Sequence, residues 1–357
     1  MRVATYANLA GALLLAAHSG VVLAAPASLA DCAGIAEDSK RLACFDELAA
    51  AHRADADNKQ LGGQAPLESM DEATAESTAV AAAEAAAEKT DAKNRSYLAK
   101  HWELGPENKR GTFKFQSHQP NYLLATYSSS PNSAPYQPVR RFVLSNADLS
   151  HGELVFQLGF KMKFLQNIAG TPADLWVGYT QQSFWQAGNR EASSPFRETN
   201  YQPEVMAVLP LNFSLLGLRA RFLNLGIVHQ SNGQASTLSR SWDRIYAQVG
   251  LERGEFTLVG RIWERRSEDL DEDDNPDIID YMGHGDLTAT YRWQGHEFSL
   301  LTRYNFSTDK GAAQLGWAFP MTEHVKGYVQ LFSGYGHSLI DYNHAQDTLG
   351  VGVLVSY

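Results

Sequence analysis

Residues 349–357, LGVGVLVSY, alternate without a break: Leu349, Val351, Val353, Val355 and Tyr357 share one face, while Gly350, Gly352 and Ser356 occupy the other. Successive side chains of an extended chain point to opposite sides, so this is a strand with one apolar face and one face of small residues. A single strand of this kind suits a soluble sandwich as well as a membrane wall. Its companions decide the fold.

Working back from the C-terminus, the same period of two recurs as far as Gly111. Twelve strands are expected, near 121–128, 153–164, 174–184, 203–213, 218–231, 241–251, 256–266, 280–293, 297–306, 311–319, 324–333 and 347–357. Many run to about ten residues, the length a tilted strand needs to cross a bilayer. The connections QNIAGTPAD, ERGE, QGH and PMTE are short, whereas those after odd-numbered strands are mostly long. Short periplasmic turns and long external loops give that asymmetry. Trp176, Phe184, Trp185, Tyr291, Trp293, Trp317 and Phe319 gather at strand ends, where interfacial girdles would lie. A terminal aromatic after such a strand resembles the C-terminal signal of outer-membrane barrels. The expected fold is all-β, a twelve-stranded antiparallel transmembrane β-barrel over 111–357.

Composition agrees by not objecting. At 44% hydrophobic and net charge −10 the chain would pass for soluble, but a barrel whose faces alternate has unremarkable average polarity. The acidic balance offers no basic patch for phosphates, so nucleic acid is not an expected partner.

The N-terminal third reads differently. Residues 1–24 combine Arg2, an apolar run from Leu9 to Leu23 and small residues at Ala24 and Ala25, the layout of a cleaved secretory signal. In an exported chain the two cysteines, Cys32 and Cys44, are best read as one disulfide. A straight helix would hold them about 18 Å apart, too far to bridge. Residues 25–60 should therefore fold back as two short helices with Ile35, Leu42, Phe45 and Leu48 inside. Residues 61–110 begin with an Ala/Glu/Thr-rich stretch without an amphipathic stripe and read as a linker.

The chemistry concentrates in HQSNGQASTLSRSWDR, residues 229–244. In the strand before it the odd positions are Leu223, Leu225, Ile227, His229 and Ser231; in the strand after it they are Asp243, Ile245, Ala247, Val249 and Leu251. A hairpin centred near Ser236 would pair 229 with 243, placing Asp243 within about 5 Å of His229. His229, Ser231 and Asp243 would then share the apolar face, which in a barrel is the outer wall. Polar groups are costly there unless they engage one another or serve a function. A nucleophile so placed is useful against a substrate arriving from the membrane, which points to a lipid ester. The bland alternative is that HxS beside a turn is interfacial decoration and Asp243 a hairpin cap.

HQSNG…SRSWDR, with YTQQSFWQ (179–186), SSPFRETNYQPE (193–204), DDNPDIIDYMG (273–283) and SGYGHSLIDYN (333–343), resembles the outer-membrane phospholipase A family over roughly 110–357. The resemblance implies a calcium-dependent barrel in the bacterial outer membrane that hydrolyses phospholipid and lysophospholipid acyl esters and acts as a homodimer. It makes Ser231 the nucleophile and His229 the base. The third member is usually an asparagine; here it is Asp243. Calcium contacts fall on Ser193, Gln234, Ser239 and Asp274, with Gln234 replacing a usual arginine at a contact made through the backbone carbonyl. Ser193 would reach a neighbour's site across the dimer, and Gln181 would lie at the dimer interface. The acidic run 267–277 otherwise reads as a solvated loop, since it lacks the glycine and terminal glutamate of an EF-hand. Two competing readings remain: a non-enzymatic outer-membrane barrel, porin or scaffold, and a soluble secreted sandwich esterase.

Overall fold

The structure is a computed structural model that describes residues 32, 35–59, 96–145, 147–269 and 273–355. The signal segment 1–24, residues 61–95 of the linker and the terminal Tyr357 lie outside the described residues. The chain divides into two compact units, 1–84 and 85–357.

In the first unit Cys32 and Cys44 form the expected disulfide, their Cα atoms 5.6 Å apart. The second cysteine sits on one long helix, Asp38–Lys59, rather than a short one. The reversal is made before it, where Arg41 Nη1 donates to the Ile35 carbonyl at 3.2 Å. Leu42 is exposed, not packed inside.

The second unit is a closed antiparallel barrel. Its strands are β1 (Phe115–Ser117), β2 (Asn121–Ser128), β3 (Gly152–Leu165), β4 (Asp174–Trp185), β5 (Phe196–Leu215), β6 (Leu218–Ser231), β7 (Ser241–Arg253), β8 (Phe256–Arg265), β9 (Gly285–Trp293), β10 (His296–Asn305), β11 (Lys310–Pro320), β12 (Val325–Tyr335) and β13 (Ala345–Val355). Each of β2 to β13 pairs with its sequence neighbours, and β13 pairs back onto β2, so twelve strands close the wall without a free edge.

The extra strand β1 continues the line of β2. Residues 122–127 pair with 152–157 of β3, and 115–117 pair with 160–162. Between them Pro120 cannot donate to the ladder, which is why the strand breaks there. Asn121 repairs the gap: its Oδ1 accepts from the Gly159 N–H at 2.6 Å and its Nδ2 donates to the Gly159 carbonyl at 3.3 Å.

Alternation sorts the side chains. Leu225, Ile227, Ile245, Ile262, Leu315 and Val351 are exposed on the outer wall, as a lipid-facing surface requires. The lumen is filled. Trp176, Met206, Phe222, Trp242, Tyr246 and Trp263 form one core with Leu98 and Trp102 from the short helix Tyr97–Trp102. Ser96 caps that helix, accepting from the Ala99 N–H, while Glu252 accepts from the Leu98 N–H and pairs with Arg221. Lys161 lies over the Trp102 ring at 3.5 Å, and Lys163 bridges Glu103 and Asp174 at 2.7 and 2.8 Å. A lumenal cavity of about 400 Å³ remains, lined by groups such as Gln182, Arg244 and Asp286.

Three expectations need correction. Trp176 and Phe184 are fully buried and face inward, so they belong to no girdle, whereas Tyr291, Trp293 and Trp317 are exposed outside. Strand β5 starts at Phe196, seven residues before the expected 203. Residues 278–282 form a helical turn, Ile278–Met282, where a strand from 280 was expected; Ile278 is buried in the core and Gly283 ends the turn.

Candidate active site

The site grows from the β6–β7 hairpin. Its ladder pairs Ser231 with Ser241 and His229 with Asp243. The His229 Nδ1–H donates to Asp243 Oδ1 at 2.8 Å, on side chains 46% and 42% exposed on the outer wall. Ser231 stands two residues along the same face, about 6.7 Å away along the strand. Among the described residues its Oγ has no hydrogen-bond partner. An uncoupled charge on a barrel's lipid face costs up to about 2–4 kcal/mol at mid-membrane and about 0–1 near the rim. Here the charge sits near a strand end and is hydrogen-bonded, which lowers the cost further.

The opposite face of the hairpin holds these groups still. Gln230, between His229 and Ser231, accepts at Oε1 from Trp242 Nε1 and from Arg244 Nη2, both at 2.9 Å. The Arg244 guanidinium stacks on the Trp242 ring at 3.9 Å. All of this is inward, with Trp242 and Arg244 buried and Gln230 half-buried, so the backbone presenting the outward trio is anchored by the core.

The loop after Ser231 turns around Asn232. Its Oδ1 accepts from the Gln234 and Arg240 N–H groups at 3.2 and 3.0 Å, and its Nδ2 donates to the Leu238 carbonyl at 2.7 Å and to Glu198 at 3.3 Å. Gly233 follows with φ +63°, a conformation suited to glycine. Among the described residues its N–H has no acceptor, leaving a free donor two residues from Ser231.

Of the four expected cation ligands, the fold joins two. Ser239 Oγ donates to Asp274 Oδ2 at 2.5 Å. The neighbouring Asn275 is buried and accepts at Oδ1 from the Ser241 N–H at 2.9 Å, while Asp273 pairs with Arg265 at 2.6 Å. The acidic loop is thereby held one residue either side of Asp274, to the start of β7 through Asn275 and to the end of β8 through Asp273. Ser193 lies exposed in a tight turn with φ +63° on the β4–β5 loop. Among the described residues neither Ser193 nor the Gln234 side chain bonds to the Ser239–Asp274 pair. Carboxylate, hydroxyl and a turn carbonyl are hard oxygen donors, which fits calcium. Partial burial, opposed by Arg265 and reinforced by Asp273, Asp243 and Asp274, pushes the Glu268 carboxyl above the usual range, a sign of the negative charge gathered here. Gln181 faces outward on β4, in the same cross-strand row as Tyr201 of β5 and Ser231 of β6. Its Oε1 accepts from Tyr179 at 3.0 Å and its Nε2 donates to Ser183 at 3.2 Å.

Residues 98–355 match the family model for phospholipase A1. The chain belongs to the phospholipase A1 family. A protein of Neisseria meningitidis serogroup B is 37% identical over 342 residues, spanning 90% of this chain and 89% of its own. A Salmonella typhi outer-membrane phospholipase, solved as a dimer with bound calcium, is similar at a TM-score of 0.66 and 34% identity, covering 73% of this chain and 97% of that one. An Escherichia coli outer-membrane phospholipase A carrying an asparagine-to-alanine active-site mutation is similar at a TM-score of 0.67 and 34% identity, covering 73% and 99%. With its closed twelve-stranded wall, this phospholipase A1 family member is an outer-membrane β-barrel.

Sequence reasoning passed over several residues that organise the site of this family member. Gln230, Trp242 and Arg244 sit at even positions and could have been found by the same parity that marked His229. Asn232 and Asn275 give no such signal, because an asparagine in a turn reads as turn chemistry.

Proposed function

We propose that this protein hydrolyses acyl esters of phospholipids in the outer leaflet, with Ser231 as nucleophile, His229 as general base and Asp243 as the group that orients the imidazole. The observation that carries this reading is the 2.8 Å His229–Asp243 hydrogen bond on the lipid-facing wall beside Ser231, whose Oγ has no partner among the described residues. With Nδ1–H committed to Asp243, the other ring nitrogen is free to take the Ser231 proton as Oγ attacks the ester carbonyl. The Gly233 N–H is available to the developing oxyanion. His229 then returns the proton to the departing glycerol oxygen, and a water activated by the same ring releases the fatty acid. Asp243 keeps the tautomer and balances the charge on the ring throughout.

Ser239, Asp274 and the carbonyl of Gln234 would hold calcium, which when bound polarises the ester carbonyl and offsets the oxyanion charge. Ser193 would serve a neighbour's site in a homodimer formed across the face that carries Gln181. Calcium in the Salmonella typhi dimer supports both expectations.

The test is acyl release from phospholipid micelles. Calcium-dependent release by the wild type that vanishes in Ser231→Ala is the expected result. Undiminished release by that variant would remove Ser231 from the role. A filled lumen, with Trp102 seated against Trp176 and Phe222, weighs against the porin alternative.

A further inference from the structure

We infer that Arg266 is a specificity-determining residue that engages the phosphate of the lipid substrate; the inference rests on the hydrolytic reading above. The ladder between β7 and β8 pairs Arg244 with Arg265 and continues one step further, where the Arg266 N–H donates to the Asp243 carbonyl at 2.9 Å. Arg266 is therefore the direct cross-strand neighbour of Asp243. By alternation it shares the outward face with Ile262 and Glu264, and it is exposed. The row across the wall reads Arg266, Asp243, His229. The external end of β8 puts Arg266 at the rim, the depth at which lipid headgroups lie.

Among the described residues its guanidinium is uncommitted. Of the carboxylates beside it, Asp243 engages His229 at 2.8 Å and Glu264 lies 3.9 Å from His284, and among the described residues neither these two nor Glu268 forms an ion pair with Arg266. Arg244 and Arg265, its neighbours in the ladder, point inward and are bonded to Gln230 and Asp273. Among the described residues the Arg266 side chain has no ion pair or hydrogen bond. A planar cation with free donors at a lipid-facing rim matches a phosphate oxygen pair.

The spacing suits a glycerophospholipid. One strand separates β6 from β8, so Arg266 lies about 10 Å across the wall from the Ser231 strand. An ester carbonyl at Ser231 would extend its glycerol backbone past His229 and Asp243, bringing the phosphate within reach of a long side chain anchored beside Asp243. The phosphate would then orient the glycerol and fix which ester meets the nucleophile.

The experiment uses the full-length protein with calcium in one detergent, supplied with phosphatidylcholine or with diacylglycerol of the same acyl chains. Arg266→Gln should lower kcat/KM on phosphatidylcholine about tenfold, mainly through KM, the scale of one charge-assisted hydrogen bond. Hydrolysis of diacylglycerol should stay within about twofold, which also shows that the variant is folded. Arg266→Lys should recover part of the loss on phosphatidylcholine only. An equal fall on both esters would mean that Arg266 acts by supporting Asp243, and an unchanged rate on phosphatidylcholine would mean that it does not touch the phosphate; either overturns the inference. A wild type that cleaves neither ester would instead sink the hydrolytic reading itself.

Discussion

Replacing Asp243 by asparagine separates orientation from charge. The His229 Nδ1–H donates to Asp243 Oδ1 at 2.8 Å, and an asparagine in the same rotamer presents a carbonyl oxygen at the same place. A hydrogen bond to a charged acceptor is worth about 1.5–3 kcal/mol net and a neutral one about 0.5–1.5. The exchange therefore costs the transition state about 1 kcal/mol, or about fivefold in kcat. Asp243→Ala removes the acceptor altogether and forfeits the whole 1.5–3 kcal/mol, about 10- to 150-fold. Both side chains are more than two-fifths exposed, at 46% and 42%, so neither variant buries an unpaired group in the core or endangers the barrel. The assay is kcat for fatty acid release from phospholipid micelles at saturating calcium, with Ser231→Ala as the floor. An Asn variant as inactive as Ser231→Ala, or an Ala variant as active as wild type, would refute the orienting role.

Further outcomes follow from the same geometry. Asn232→Ala removes four bonds from the turn after Ser231, including those to the Gln234 and Arg240 N–H groups, and should lower kcat at least tenfold; because Asn232 is buried, the heat-unfolding midpoint should fall as well, which circular dichroism would measure. Asp274→Asn should raise the calcium concentration for half-maximal activity with little change in rate at saturation, which a calcium titration would measure. His337, in the loop between β12 and β13, is buried against Phe184 and Phe332, and burial lowers its pKa from 6.5 to about 4. The unfolded chain binds this proton below 6.5 and the folded loop does not, so stability present above that value is lost as pH falls toward 4. Proteolysis of that loop should accelerate across this window, and His337→Phe should flatten the dependence.

Parity and hairpin register made much of this legible. Once the turn was centred near Ser236, the pairing of 229 with 243 followed from counting, and period two then assigned faces. The same reasoning misread Trp176 and Phe184, because it took apolar side chains at strand ends as lipid-facing. This lumen is packed with aromatics and buried ion pairs, so hydrophobicity does not mark the outer wall; Trp176 shares its face with Thr180 and Gln182, which could have given it away. The early start of β5 was hidden because FRETNY lacks an apolar alternation, its inward residues Glu198 and Asn200 being held by Asn232 and by the Leu339 and Ile340 N–H groups. The helical turn at Ile278 was hidden for the opposite reason, an apolar pair that suits either element. Long-range polar partners, not local pattern, decide those segments.

The placement of the trio also follows from what fills the barrel. A lumenal enzyme would need an aqueous path, yet the helix Tyr97–Trp102 inserts Trp102 among Trp176 and Phe222, with Lys161 stacked on its ring and Arg292 on that of Tyr97. That helix is tied down by Glu252, which accepts from the Leu98 N–H and is itself paired with Arg221. The interior thus supplies rigidity, and the rigid inward groups Gln230, Trp242 and Arg244 alternate residue by residue with the outward His229, Ser231 and Asp243. The register is fixed by both faces: a strand position cannot slip by one without exchanging the inward anchors for the outward side chains. On the proposed reading, a substrate already dissolved in the membrane needs no pore to reach them, only lateral diffusion to the rim between β6 and β8.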